Sequence, residues 1–249
     1  MLRYFRNIRH KLIEEDNIRK YIWYAVGEIL LVMIGILLAL QVNNWNEARN
    51  DRQFELIMLR DISQSLDENI SLVQSQFRNL DNIRNSVNKL ALYQNNPGYS
   101  KDSLVHHLDV ARFGGTGISF NNSAYESLKS SGLNKVSNAE LRNSLALLFE
   151  VEMSVAEQWI NDVVRKTLFD KNEYARSYFL YEVKPDSANG IRSEIIPPTH
   201  KKISSDPAFD IFLMLSGGYI SSSRSRFSLV LSKMEEVRKQ LGIEIEKGN

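Results

Sequence analysis

Residues 22 to 40 of this chain, IWYAVGEILLVMIGILLAL, contain one ionisable side chain, Glu28, in 19 positions. As a helix rising 1.5 Å per residue the run is about 28 Å long, enough to cross a bilayer hydrocarbon core once Gln41 and Val42 are counted as its exit. Apolar residues cover every face, whereas a buried helix of a soluble protein shows one stripe. Trp23 and Tyr24 at one end and Trp45 at the other occupy the interfacial positions favoured by amphipathic rings. The pattern predicts one transmembrane helix over residues 21–45, with Trp23, Tyr24 and Trp45 as its anchors.

A cleaved signal peptide competes, because the uninterrupted apolar stretch 29–40 is short and its leading flank is basic. The exit ALQVNNWNEA offers no pair of small residues for cleavage, so an uncleaved signal anchor is expected. Residues 1–20 carry six Lys/Arg (Arg3, Arg6, Arg9, Lys11, Arg19, Lys20) against three in residues 43–62 (Arg49, Arg52, Arg60). The positive-inside rule then puts the N-terminus in the cytoplasm and residues 46–249 on the far side. Within the basic segment Leu2, Phe5, Ile8, Leu12 and Ile13 share a helical arc, which Arg9 interrupts. The segment reads either as a helix lying in the headgroups or as a solvated basic flank.

Glu28 stands about 9 Å into the hydrocarbon, where a carboxylate is costly and ordinarily faces a partner. Ala25, Glu28, Val32, Gly35 and Ala39 recur at steps of three and four, and Gly35 with Ala39 forms a small-x-x-x-small pair that lets two backbones approach. This face is expected to meet another transmembrane helix. The competing reading has Glu28 protonated or reaching for the headgroups.

No Gly or Pro interrupts residues 36–96 or 133–184, runs of 61 and 52 residues, which strands could not sustain without turns. Leu59, Ile62, Leu66, Ile70, Val73, Phe77, Leu80, Ile83, Val87 and Leu90 predict an amphipathic helix over residues 51–93, about 60 Å long. Leu59, Leu66, Val73, Leu80 and Val87 keep strict heptads, but Asn69 and Gln76 occupy the other core position. An antiparallel bundle is therefore favoured over an intersubunit coiled coil.

Further helices are expected over 102–112, from Asn122 or Ser123 to Gly132, and from a Ser137/Glu140 capping box to about residue 180. Leu141, Leu145, Leu148, Val155, Trp159 and Val163 supply the buried face of the last. Residues 181–205 read as an extended excursion. Asp206-Pro207 opens a helix that Gly217-Gly218 should end, and a final helix over 219–241 bears Arg224, Arg226, Lys233, Arg238 and Lys239. The fold class is all-α: a transmembrane helix followed by an antiparallel bundle with a long first helix, residues 46–249 folding on their own.

Catalytic chemistry finds little footing. The absence of Cys removes disulfides, thiolate ligands and thiol catalysis. Adjacent His106 and His107 are 100° apart on a helix and cannot make the i, i+4 pair of a helical zinc site. His10 and His200 stand alone. The Phe113-Gly-Gly-Thr-Gly117 run lacks phosphate-loop spacing, and Ser130-Ser131 lacks a nucleophile elbow. No catalytic residue, metal site or cofactor is expected. A net charge of +1 argues against nucleic acid.

Two blocks carry a resemblance: YAVGEILLVMIGILLALQVNNWNE at 24–47 and AYESLKSSGLNKVSNAELR at 124–142. They are similar to recurrent segments of a DUF6090-like family of uncharacterised single-pass membrane proteins from Bacteroidota. The resemblance implies a protein of the inner (cytoplasmic) membrane with a periplasmic domain, and adds no activity. Asp102-Ser103-Leu104 and Asp186-Ser187-Ala188 also resemble three-residue O-glycosylation sites of that group. The expected function is a membrane-anchored interaction or scaffold module, with membrane lipid and a second copy or another envelope protein as partners. The alternative is a periplasmic ligand sensor acting through the transmembrane helix, although the twenty residues ahead of the span hold no output domain.

Overall fold

The computed structural model describes residues 18–96, 98, 100–178 and 180–248; the basic segment 1–17, including His10, lies outside them. Two compact units divide the chain at Phe54 and Glu55. Helix α1, Ile18–Asn95, is a single unbroken helix, so the predicted transmembrane and amphipathic helices are one element. It has no breaker from residue 36 onward and ends where Asn95 Nδ2 donates to the Ala91 carbonyl, 3.0 Å, just before Pro97-Gly98.

In the second unit every apolar position predicted for α1 is buried or half-buried, with Leu59, Ile62, Leu66, Val73, Leu80 and Ile83 fully enclosed. They pack on α2 (Lys101–Phe113), α3 (Ser123–Ser131), α4 (residues 139–175) and α6 (Pro207–Glu246) of the same chain, in the bundle arrangement expected. The Ser100 hydroxyl caps α2 by accepting from Ser103 N, 3.2 Å. Gly132, at φ 104°, ends α3.

Helix α4 opens one residue later than expected. Asn138 is its N-cap, accepting from Glu140 N and Leu141 N, while Ser137 gives both its amide and its hydroxyl to Glu55 Oε1, 2.8 and 2.9 Å. The capping box therefore does not form, because a buried carboxylate of α1 takes its serine. Helix α4 is also composite: α segments Ala139–Ala146, Met153–Gln158 and Arg165–Ala175 alternate with π segments Leu147–Glu152 and Trp159–Val164. A π turn holds one residue more than an α turn, so it shifts the register of everything after it. Leu141, Leu145 and Leu148 face inward as predicted, but Phe149, Met153, Ala156, Ile160 and Val164 continue that face. Val155, Trp159 and Val163 are exposed instead.

Two further expectations fail in the last third. Residues 180–196 form an antiparallel hairpin, β1 (Leu180–Asp186) and β2 (Gly190–Ile196), in place of a plain excursion. Its turn closes because Asp186 Oδ1 accepts from Ala188 N and Asn189 N, 2.7 and 3.1 Å, with Gly190 at φ 82°. After the short α5 (His200–Ser205), helix α6 runs Pro207–Glu246 straight through Gly217-Gly218. Buried Phe212, Ser216, Tyr219 and Ile220 hold both sides of the pair to the core, and that packing outweighs the roughly 1 kcal/mol a helical glycine costs. The fold is otherwise all-α.

Candidate functional site

In the first unit, residues 22–40 have no fully buried side chain, and they lie on a helix long and apolar enough to cross a membrane. Trp23 and Trp45 are exposed near its two ends, and Tyr24 is half-buried. Of the predicted helix–helix face, Ala25 and Glu28 are half-buried, and Val32, Gly35 and Ala39 are exposed. A Cβ at Gly35 would meet no atom within 4 Å.

In the second unit, the Gly-rich run is structural. Residues 114–122 form neither helix nor strand and bury Ile118 and Phe120, so their backbone groups need partners out of water. Asn side chains from two helices supply them. Asn69 donates to Asn121 O and accepts from Asn121 N (3.0 and 2.9 Å), Asn79 donates to Gly115 O (2.7 Å), and Asn161 does both for Ile118 (2.8 and 3.3 Å). The Tyr219 hydroxyl takes Thr116 N. Asn69, which breaks the heptad pattern, therefore serves this loop and not a second subunit.

Beneath the loop lies Lys171, fully buried. Its ammonium donates to Ala111 O at 2.5 Å and sits 4.9 Å from the Tyr219 ring centroid. Burial lowers its pKa to about 8. The basic face of α6 is largely engaged within the fold: Arg224 with Asp81 (2.6 Å), Arg238 with Asp67 (2.8 and 3.1 Å), Lys233 with Glu236, and Arg226 over the Trp159 ring. His106 and His107 stack edge to face at 5.2 Å; the more enclosed His107 meets Ser86 Oγ at 3.2 Å, and burial lowers its pKa. Ser130 and Ser131 both bond to Ser127 O. Among the described residues no group of three or more His, Cys, Asp or Glu is placed to hold a metal ion.

A large concavity, unmarked by any sequence motif, is an open groove of about 1030 Å³ between α2 and the hairpin. On the α2 side stand Asp102, Val105, His106, Asp109 and Phe113, a single helical stripe. On the hairpin side are Tyr181, Val183, Ser193 and Ile195, which alternation and register place on one face of the sheet. The other face carries the charges. Lys184 bridges Glu182 and Glu194 (3.2 and 2.8 Å), and Arg192 pairs with Glu194. At one end Arg112 donates to the Tyr181 hydroxyl, 2.6 Å, tying the hairpin to α2. Period-two alternation in 181–184 and 192–195 was the available signal for this wall. Ser103, in the first turn of α2, is half-buried, while Ser187 is exposed in the hairpin turn.

These features define a helical protein with one apolar N-terminal helix of membrane-spanning length and a packed helical unit carrying a hairpin. Residues 28–99 match a family of unknown function, DUF6090. The match takes in most of the first resembling block and the long helix, and stops short of residues 124–142. No curated protein and no solved structure matches the chain.

Proposed function

We propose that this is a membrane-anchored interaction protein of the cell envelope, tethered in the inner membrane by residues 21–45, with its N-terminus cytoplasmic and residues 46–249 presented in the periplasm to a partner. The observation that carries the reading is the segment 22–40: an apolar surface on all sides of a helix has no favourable surroundings in water, and a bilayer supplies them. The Lys/Arg asymmetry across the segment supports the orientation. Catalysis has less support, because Lys171, the amine burial perturbs most, is sealed from any substrate.

Protease added to spheroplasts should remove a C-terminal tag and spare an N-terminal one, and crosslinking in native membranes should capture a second copy or one other envelope protein. Loss of the N-terminal tag with the C-terminus intact would reverse the orientation; absence of any crosslinked species would refute the interaction role. The groove beside α2 favours ligand sensing as a second reading. A thermal shift on addition of a small periplasmic metabolite, without a captured protein, would select it.

A further inference from the structure

The groove between α2 and the hairpin combines an unfilled apolar wall with open carboxylates. Val183 is 62% exposed, Tyr181 41% and Phe113 60%, so the apolar sheet face is only partly covered by its own chain. Ile195 alone of that face packs against the core, which anchors the hairpin on one side and leaves Val183 standing off α2. Opposite, Asp102 and Asp109 are seven residues apart on one stripe of α2, both exposed and, among the described residues, in no ion pair. Glu194 borders the groove from the charged face of the sheet, its carboxylate already bridged by Lys184 and Arg192. Among the described residues no Lys or Arg lines the groove itself, and Arg112 stands at one end, engaged with the Tyr181 hydroxyl.

The volume lies at the upper limit of small-ligand pockets, and the opening is a wedge rather than an enclosed cavity. One wall presents apolar side chains at strand spacing, the other presents negative charge at helical spacing. We infer that this groove is the partner-docking site, and that its occupant is a cationic amphipathic peptide segment of another protein, with its apolar side on Tyr181, Val183 and Ile195 and its Lys or Arg side chains on Asp102 and Asp109. The inference rests on the interaction reading above and adds to it the place and the chemistry of the partner. Charge complementarity commits the choice: an acidic or lipid-like occupant would meet Asp102 and Asp109 without compensation.

The test uses the full chain in nanodiscs of zwitterionic lipid, with empty nanodiscs subtracted, and a fluorescein-labelled helical peptide carrying one Leu face and one Lys face. Saturable binding is expected, weakened at least fivefold by Asp102→Asn with Asp109→Asn and by Val183→Ser, and unchanged by Asp162→Asn on the exposed side of α4. These positions are exposed, and circular dichroism checks that each variant keeps its helix content. Equal affinity in the groove variants, equal binding of a Leu/Glu peptide, or full displacement by spermidine would each overturn the inference. If the peptide fails while crosslinking in native membranes still captures a partner, the docking site is wrong and the interaction role stands; if both fail, both are wrong.

Discussion

Lys171 allows a quantitative test of the packing at the centre of the bundle. Its ammonium is wholly enclosed, no carboxylate pairs with it among the described residues, and its compensation is one close bond to the Ala111 carbonyl and the face of Tyr219. Burial brings its pKa from an ordinary 10.5 to about 8. At about 1.4 kcal/mol per pKa unit, keeping the proton on Lys171 in the fold at pH 7 costs about 3 kcal/mol, to within a factor of about two. Between pH 8 and 10.5 the unfolded chain holds this proton and the folded chain sheds it. The penalty is therefore full below pH 8 and fades as pH rises through that window, and stability climbs. Lys171→Met removes the titration but strands the Ala111 carbonyl, at about 1–3 kcal/mol, so the two proteins should be of similar stability at pH 7. From pH 7 to pH 10 wild type should gain about 2–3 kcal/mol on the variant, or about 5–10 °C in Tm for a unit of this size. Tyr219, whose pKa burial raises, is present in both proteins and largely cancels. Urea and thermal unfolding of the full chain in detergent, followed by circular dichroism at several pH values, measures the difference. Parallel stability curves from pH 7 to 10 would refute a buried, unpaired ammonium.

Gly217→Ala and Gly218→Ala should each stabilise the protein by about 0.5–1 kcal/mol, since both glycines lie inside α6 with no atom within 4 Å of an added Cβ; a fall in Tm would show that the chain needs a break there. If the apolar segment 22–40 spans the membrane as proposed, Gly35→Leu should weaken self-association severalfold by holding backbones apart, and Glu28→Leu by removing a polar contact, with insertion intact. Crosslinking at matched expression reads both, and unchanged association would leave Glu28 as a carboxyl that is merely tolerated.

Local pattern alone carried the long apolar segment and most of α1. Length and apolarity are properties of consecutive residues, and the three-to-four spacing from Leu59 to Leu90 names the inward face without knowledge of what packs on it. The N-cap Asp206 was legible for the same reason. Other features depended on residues far apart in the chain. Ser137 looked like a cap until Glu55, 82 positions away, took its hydroxyl, and Asn69 looked like a coiled-coil device until the 114–122 loop claimed its amide. Val155, Trp159 and Val163 were assigned inward by counting α turns, and the two π segments turned them outward. Gly217-Gly218 ends a helix in isolation and continues one when Phe212 and Tyr219 are anchored on either side. The hairpin and its groove have no motif, because a concavity is a relation between surfaces. Sequence decided which residues avoid water; tertiary packing decided which buried polar groups meet, and which faces remain open for a partner.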